Sequence, residues 1–416
     1  MAFTFVHAAD LHLASPFQGL ARTGIPEAVV AHLRDATLLA FQRLVDLCIE
    51  RRAAFLLLAG DIFDDEECSL RDMFRFRDEL ARLDAAGIAV FAVHGNHDPL
   101  EGNRPAVALP ANTHVFGGEA TETRAVAAVP GATVTGISYR TAREPRKLAR
   151  LYAPPAEPGF HVALLHANVG GDTGHADYAP CTVEQLRGAG FHYWALGHVH
   201  ERRSLCQSPA IVYPGNLQGR NPRETGPRGA LVVVADPASG QAETEFVPLQ
   251  TVRWETPEVS IAGLATLDAL EERLLAELET LAVACRPSSL VARVTLVGRG
   301  ALDGDLRRDH AARELAERLQ QRQPAAPPFV WIESLRLACG GELDFAARRE
   351  GDDLAGEVLR QADRLAADPV WLDAALAELF QHHRAKRALT PLNDAQRAQL
   401  LGEAAEQCVE ALDEEA

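Results

Sequence analysis

The stretch Ala54–Asp64 reads AFLLLAGDIFD and joins an apolar run to a cluster of acidic residues. A short, uninterrupted apolar run bounded by glycine predicts a strand that is buried on both faces. The polar cluster begins where this strand must end. In open α/β sheets, ligands bind outside the carboxyl ends of the strands. The stretch therefore predicts a parallel sheet and a functional site at its edge.

Five further apolar runs also have the length of a strand, and polar residues follow most of them. They are Phe3–Ala8, Ile88–Val93, Val162–Leu165, Tyr193–Leu196 and Ala230–Ala235. Between the first three strands, apolar side chains recur at helical spacing over Val29–Arg51 and Leu70–Ala86. The order strand–helix–strand–helix–strand predicts an α/β layer fold with right-handed crossovers.

Length and composition narrow the possible classes of protein. A chain of 416 residues predicts two or three domains. Its 47% hydrophobic and 24% charged residues are typical of a globular protein and exclude a wholly disordered chain. The net charge of −17 excludes a general binder of polyanions, because the field of the protein repels phosphate. Contact with nucleic acid would have to be local, metal-assisted or shared with a partner.

The seven cysteines are scattered and form no CxxC pair, which favours a reducing compartment over a disulfide framework. The amino terminus, MAFTFVHAADLHL, lacks the basic segment of a signal peptide. No uncharged apolar run approaches 18 residues, the length typical of a membrane span. These features predict a cytoplasmic protein without a membrane segment.

The chain is expected to divide into three parts, at residues 1–250, 251–345 and 346–416. Within the first part, Leu100–Ala156 shows little periodicity and is expected to be rich in loops. The second part alternates helical and strand patterns and predicts a small α+β cap; the patterns cover Asp268–Leu281, Leu290–Val297, Ala311–Gln321 and Phe329–Leu337. The third part predicts an acidic helical tail with a break at Leu389–Leu392.

Five polar clusters follow predicted strands and are expected to converge. They are Asp10-Leu-His12, Gly60-Asp-Ile-Phe-Asp64, Gly95-Asn-His-Asp98, His166 and Gly197-His-Val-His200. Their donors are carboxylate and amide oxygens and imidazole nitrogens, which suit Mn²⁺, Fe²⁺ or Zn²⁺. Seven such residues suffice for two ions if one carboxylate bridges. Two ions can clamp the attacking and leaving oxygens of a phosphoryl displacement.

The clusters DxH, GDxxD, GNHD, a lone histidine and GHxH, in this order, resemble the calcineurin-like metallophosphoesterases over residues 1–220. A closer resemblance is to the SbcD-like DNA exonucleases, and particularly to YhaO-like proteins. It rests on HAADLHLASPFQGL, HADYAPC and YPGNLQGRNPRETG and on the layout of the chain. The implied fold is a four-layer α/β metallophosphoesterase β-sandwich flanked by helices, with a small α+β cap and a C-terminal helical region.

The resemblance also implies ligands and catalytic groups. One ion would be held by Asp10, His12, Asp61 and His200, and the other by Asp61, Asn96, His166 and His198, with Asp61 bridging. His97 would lie over the scissile phosphate and assist the leaving oxygen, and Asp98 could orient its imidazole. Asp64 is interpreted as a helix cap or as a partner of a ligand. Mn²⁺ is the implied ion, while the ligand types alone also fit Fe²⁺ or Zn²⁺.

Three residues are candidates for substrate contact, namely Asn216, Arg220 and Tyr178. Each also has a structural interpretation, as a turn residue, a solvated loop residue and a packed aromatic residue respectively. The resemblance implies DNA as substrate and an SbcC-like coiled-coil ATPase as partner, and a homodimer is possible. The apolar stripes of the tail fit either packing within their own domain or binding of that ATPase.

The expected function is therefore a two-metal DNA exonuclease or phosphodiesterase in DNA repair. One alternative is a metallophosphatase or small-molecule phosphodiesterase, because the same ligand set serves those enzymes. A second alternative is a structural subunit of an ATPase complex with an idle site, which the complete ligand set disfavours.

Overall fold

The computed structural model describes residues 1–17, 25–64, 68–171, 178–342, 344–381 and 392–414. The helices are α1 (Glu27–Glu50), α2 (Leu70–Ala85), α3 (Val183–Gly188), α4 (Leu267–Cys285), α5 (Asp303–Leu306), α6 (Ala311–Gln321), α7 (Phe345–Glu350), α8 (Leu354–Ala366), α9 (Pro369–Gln381) and α10 (Asp394–Glu414).

The strands of the first half of the chain are β1 (Phe3–Ala8), β2 (Phe55–Ala59), β3 (Ala89–Val93), β4 (Thr113–Val115), β5 (Glu122–Ala125), β6 (Ala132–Gly136), β7 (Phe160–His166) and β8 (Tyr193–Gly197). Those that follow are β9 (Arg203–Gln207), β10 (Ala210–Tyr213), β11 (Gly229–Asp236), β12 (Gln241–Pro248), β13 (Val252–Glu255), β14 (Glu258–Ser260), β15 (Ser289–Arg299) and β16 (Val330–Gly340).

Two six-stranded sheets form the centre of the fold, in the orders β12-β11-β1-β2-β3-β4 and β5-β6-β7-β8-β10-β9. Strands β1 to β4 are parallel to their neighbours in this series, and β6, β7, β8 and β10 are parallel likewise. Parallel strands place their carboxyl ends at the same edge of a sheet. The polar turns after β1, β2 and β3 therefore lie side by side, as do those after β7 and β8.

Both faces of the central strands are buried, which explains their uninterrupted apolar sequences. Along β2, Phe55 and Leu57 pack into a core that also contains side chains of β7 and β8. Leu56 and Leu58 point to the opposite face and pack with residues of α1 and α2. A third core on the far face of β7 and β8 packs with α3 and the turn at Leu148–Leu151. The result is the expected layered α/β architecture of helices, sheet, sheet and helices.

Local signals account for the helix boundaries. Helix α1 begins directly after Pro26, whose fixed φ suits the start of a helix. Helix α2 begins at a capping box, in which Ser69 accepts from the Asp72 backbone N–H and the Asp72 side chain accepts from that of Ser69. The expectation of loops over Leu100–Ala156 was incomplete, because β4, β5 and β6 lie there. These strands are only three to five residues long, and β5 is largely exposed.

The described chain divides into two compact units. The first comprises residues 1–257, 274–294 and 313–335, and it contains both six-stranded sheets. The second comprises residues 258–273, 295–312 and 336–416. The divisions expected at residues 250 and 345 stay predictions.

In the second unit, the tail is helical as expected. Ala355 and Leu359 of α8 pack against Ala405 and Val409 of α10, which supports packing within the tail itself. Most of the break expected at Leu389–Leu392 lies outside the described residues. Among the helices that the structure describes, none has the length and apolar character needed to cross a membrane.

His7 in β1 makes the fold sensitive to acid. Its Nδ1 lies 3.0 Å from the Tyr193 hydroxyl and its Nε2 lies 3.2 Å from the Leu196 carbonyl oxygen. Burial lowers the pKa of His7 to about 3, against an ordinary value of about 6.5 in the unfolded chain. Between these two values the unfolded state binds the additional proton. Lowering the pH through this range therefore destabilises the folded state.

We expect the free energy of unfolding of the metal-free protein to fall, through His7 alone, by up to about 1.4 kcal/mol per pH unit below pH 6.5. In His7→Gln, which does not titrate there, this part of the slope should disappear. Urea unfolding at several pH values between 4 and 7 measures both slopes. Equal slopes in the two proteins would contradict the assignment.

Candidate metal centre

The turns after five parallel strands bring the polar clusters of the sequence together. Asp10 and His12 follow β1, Asp61 and Asp64 follow β2, Asn96 and His97 follow β3, His166 ends β7, and His198 and His200 follow β8. Most of these side chains are buried, and Asp10, His12 and Asp61 are each 1% exposed. Polar groups buried to this degree require partners or ligands.

The backbone of the centre is held in a conformation that L-residues rarely adopt. The φ angles of Asp10, His12, Asp61 and His198 are 52°, 43°, 48° and 100°. Such angles cost about 1–3 kcal/mol each and persist only where the surroundings impose them. Part of that constraint is visible, because the backbone N–H of Asp10 donates to the Gly60 carbonyl and that of His12 donates to the Asp61 carbonyl.

Two glycines permit the close approach of the sheets at this edge. Gly60 has φ +89°, and a Cβ atom there would lie 2.4 Å from His166 Nδ1. A Cβ atom on Gly197 would lie 1.8 Å from the Ala59 carbonyl oxygen. Any other residue at position 197 would push β8 away from the end of β2.

The first group of potential ligands consists of Asp10, His12 and His200, each of which has a ligand atom within 4.8 Å of the others. The Nε2 atoms of the two histidines are 3.2 Å apart. Burial lowers the pKa of His12 to about 4, so its imidazole is neutral and can bind a cation. Burial raises the pKa of Asp10 to about 6, although His200 and His166 oppose this shift.

The second group consists of Asp61, His166 and His198, again with ligand atoms within 4.8 Å of one another. Asn96 joins this group, because its Oδ1 lies 3.2 Å from His166 Nε2 and 3.2 Å from His198 Nδ1. Burial alone would lower the pKa of His166, but the adjacent Asp61 carboxylate outweighs burial and raises the pKa to about 9.

Asp61 lies between the two groups. Its Oδ2 is 3.4 Å from His166 Nε2 and 4.0 Å from His12 Nε2. Two adjacent groups of imidazole nitrogens and carboxylate oxygens, with the Asp61 carboxylate of one group 4.0 Å from His12 of the other, fit two divalent transition-metal ions. Tetrahedral zinc sites of the structural type use thiolates, and neither group contains a cysteine. The donor set therefore fits the ions that the sequence implies, without distinguishing among them.

His97 differs from the other histidines because about half of its side chain is exposed. Its backbone N–H donates to Asp61 Oδ1 at 2.9 Å, and its Nδ1 lies 2.9 Å from Asp64 Oδ1. The hydrogen bond to Asp64 raises the pKa of His97 despite partial burial. An accessible imidazole with a raised pKa at the rim of the centre is suited to donate a proton to a bound substrate.

The expectation that Asp98 orients His97 was wrong. Asp98 is fully buried, and its carboxylate accepts from the backbone N–H groups of Ile62 and Gly95 at 2.9 and 2.7 Å. Its other contact is with His94 Nδ1 at 2.9 Å. The turn aims the Asp98 side chain inward, under the backbone that carries Asn96 and His97. Asp64 makes the contact with His97 that was expected of Asp98.

The three candidates for substrate contact lie in different surroundings. Asn216 is fully buried, and its amide donates to the Gln218 carbonyl and accepts from Arg228 Nη1, so it holds the loop and has no surface for DNA. Arg220 is 9% exposed and bonds to Asp64 Oδ2 at 3.1 Å. Tyr178 is half-buried, with its ring edge-on to that of His198 at 5.8 Å.

Sequence reasoning missed Glu224. Its Oε1 lies 2.7 Å from His200 Nδ1, and burial alone would raise its pKa, but the bond to His200 lowers the pKa to about 2. No spacing rule connects the two residues, which are 24 positions apart. The only available signal was that Glu224 lies in the motif YPGNLQGRNPRETG.

Comparisons with known proteins agree with this geometry. The model of the calcineurin-like phosphoesterase family matches residues 3–202, and that of the metallophosphoesterase YhaO middle domain matches residues 254–340. The chain is 32% identical over 341 residues to the uncharacterized metallophosphoesterase YhaO of Bacillus subtilis (strain 168). The aligned region covers 79% of this chain and 80% of that protein.

More distant similarity connects the chain to the DNA double-strand break repair protein Mre11 of two organisms. The identity to that of Thermoplasma acidophilum is 27% over 225 residues, or 51% of this chain and 59% of the relative. The identity to that of Methanopyrus kandleri is 25% over 291 residues, or 64% of this chain and 61% of the relative. The chain thus spans about three fifths of these two Mre11 proteins.

The contact between Asp64 and His97 can be tested in the metal-free protein. We expect Asp64→Asn to lower the pKa of His97, because the carboxylate that stabilises the imidazolium is lost. Asp84→Asn, at an exposed position of α2, is the control and should leave that pKa unchanged. Titration of the assigned His97 ring by NMR measures both. No fall in Asp64→Asn, or an equal fall in Asp84→Asn, would contradict the contact.

Proposed function

This chain belongs to the calcineurin-like metallophosphoesterase family, and from that premise we propose that it hydrolyses DNA phosphodiester bonds at the candidate metal centre. The family fold is that of a hydrolase acting on phosphoester bonds. The observation that carries the proposal is the pair of adjacent ligand groups with the Asp61 carboxylate between them and His97 at their rim.

We assign Asp10, His12, Asp61 and His200 to one divalent ion and Asp61, Asn96, His166 and His198 to the other. Mn²⁺ is our proposal for both ions, from the resemblance in sequence, and Fe²⁺ and Zn²⁺ have compatible donors. When bound, two such ions neutralise phosphate charge and generate a nucleophile from water at neutral pH. Charge neutralisation matters here because the chain itself carries −17 and repels phosphate.

His97 is proposed as the general acid. Its Nδ1 is engaged by Asp64, which leaves Nε2 to donate a proton to the leaving oxygen of the substrate. The hydrogen bond to Asp64 raises the pKa of His97, which favours the protonated imidazole that a general acid requires. Asp98 is proposed to act indirectly, by holding the turn that carries His97 through the Gly95 backbone N–H. Such positioning is what brings a catalytic group into reactive geometry.

DNA is proposed as the substrate because two of the relatives are named for DNA double-strand break repair. Tyr178 is the proposed stacking surface for a base or sugar, since its ring already packs beside His198. Arg220 is proposed to contribute positive charge next to Asp64 rather than a free phosphate contact, because it is 9% exposed. A DNA exonuclease active in repair is the function that these features favour.

An SbcC-like coiled-coil ATPase is the proposed partner, again from the resemblance. Val370 and Trp371 of α9 are exposed apolar residues in the tail and provide a place to test. A homodimer is a further proposal of the same kind. A cytoplasmic location is supported by the seven cysteines, which form no disulfide in the structure.

The proposal predicts Mn²⁺-dependent shortening of end-labelled linear duplex DNA by the purified chain. EDTA and Asp61→Ala should abolish it. His97→Ala should lower the rate by about 10²–10⁴-fold while the protein retains its metal, because the variant loses only a proton donor. Asp84→Ala, which changes an exposed residue of α2, is the control and should cleave normally.

Three results would change the assignment. Full nuclease activity in His97→Ala would contradict the role of His97. Failure to cleave DNA, combined with hydrolysis of an aryl phosphodiester, would retain the metal centre but reject DNA as a substrate of the isolated chain. Loss of both activities in a chain that still purifies with an ATPase would favour a structural subunit.

A further inference from the structure

The imidazole of His200 has different partners on its two nitrogens. Its Nε2 faces His12 within the candidate metal centre, at 3.2 Å from the Nε2 of that residue. Its Nδ1 lies 2.7 Å from Glu224 Oε1, and Glu224 is buried. A carboxylate can only accept a hydrogen bond, so the proton is on Nδ1 and Nε2 keeps a lone pair for a cation.

His12 has the same arrangement. Its Nδ1 lies 2.7 Å from Asp64 Oδ1, while its Nε2 faces His200. Both imidazoles of the group Asp10–His12–His200 are therefore backed by carboxylates. A carboxylate behind a metal-binding histidine fixes the orientation of the ring and makes the opposite nitrogen more basic.

Arg220 connects the two carboxylates. Its backbone N–H donates to Glu224 Oε2 at 2.7 Å, and its Nη1 donates to Asp64 Oδ2 at 3.1 Å and to the Ser15 hydroxyl oxygen at 2.5 Å. These residues are largely buried, so the ion pairs are weakly screened by solvent. Glu224, Arg220 and Asp64 therefore form one connected group of hydrogen-bonded residues behind the two histidines.

In the second group of candidate ligands, the imidazole of His166 has a different kind of hydrogen-bond acceptor behind it. The Nδ1 of that residue lies 2.9 Å from the Ala59 carbonyl oxygen, which is a neutral acceptor. A neutral carbonyl polarises an imidazole less than a carboxylate does, because hydrogen bonds to charged groups are about twice as strong. His12 and His200 therefore differ from His166 in the charge of the acceptor behind the imidazole.

We propose that Glu224, joined to Asp64 through Arg220, is a positioning residue that makes the group Asp10–His12–His200 the tighter of two metal sites. The inference rests on the proposed function only in requiring that the centre binds divalent ions. It assigns the YPGNLQGRNPRETG loop to metal affinity rather than to DNA contact. The loop carries both Arg220 and Glu224, so one segment supports both histidines of this group.

The test is a calorimetric titration of the metal-free full chain with Mn²⁺, with elemental analysis of the dialysed product. The wild-type chain should bind two ions with different affinities. Glu224→Gln should weaken the tighter event by about 10–100-fold and leave the weaker event unchanged. The substitution Asn96→Ala removes a candidate ligand of the other group and should leave one tight site. Adding Glu224→Gln to that variant should lower the Mn²⁺ affinity of the remaining site by the same factor.

Two variants complete the design. Glu201→Gln is the matched control, because Glu201 is next to His200 in sequence but is exposed and pairs with Arg203. It should leave both affinities unchanged. Arg220→Gln should weaken the same tight event to a smaller extent, because it breaks the connection to Asp64 and leaves Glu224 in place. The ¹⁵N shifts of His200 report directly whether its proton stays on Nδ1.

Unchanged Mn²⁺ affinities and unchanged His200 shifts in Glu224→Gln would overturn the inference. An equal fall at both sites, together with a lower melting temperature of the metal-free form, would also overturn it, because the role would then be structural. A wild-type chain that binds no Mn²⁺ would overturn the proposed function and this inference with it. Normal binding of two ions without DNA cleavage would leave the inference standing.

Discussion

The whole centre depends on the contact between His166 and the Ala59 carbonyl oxygen, where the ends of two sheets meet. His166 ends a strand of one sheet and Ala59 ends a strand of the other, and the ring nitrogen and the carbonyl oxygen are 2.9 Å apart. Gly197 allows this approach, since a Cβ atom there would lie 1.8 Å from the same oxygen. Without a glycine at position 197, the two sheets could not approach closely enough for Asp61 to lie between histidines from both of them.

The energetic basis of this approach is the burial of apolar side chains between the sheets. Phe5, Phe55, Phe160 and Tyr193 contribute to one continuous core, and each is fully buried. Burial of side chains of this size contributes about 1.5–3 kcal/mol each relative to exposure. That driving force is comparable in size with the cost of the positive φ angles at the candidate ligands, which is about 1–3 kcal/mol each.

The sequence predicted the fold best at strands that are buried on both faces and are followed by polar residues of the candidate site. β2 and β7 were predictable because strands buried on both faces have unbroken apolar runs. The short exposed strand β5 and the edge strand β12 carry no such pattern and were missed. The partner of His97 was predicted wrongly, since adjacency in sequence favoured Asp98 while the turn aims that carboxylate at backbone N–H groups.

The long-range contact between Glu224 and His200 follows no pattern in the sequence. Glu224 approaches His200 only because the loop after β10 folds back over the centre, and Arg228 fixes that loop by donating to Asn216 Oδ1 and to the Thr225 carbonyl. Such contacts depend on tertiary structure and leave no periodicity. The candidate ligands, and Asp64 as a partner of a ligand, could therefore be identified from the chain, whereas Glu224 and its connection to Asp64 through Arg220 could not.

We expect each chain to bind two divalent ions with Asp61 between them. Anomalous diffraction from crystals grown with Mn²⁺ would locate these ions. Two manganese peaks per chain should lie on either side of the Asp61 carboxylate. A single peak, or peaks away from Asp61, would contradict this expectation.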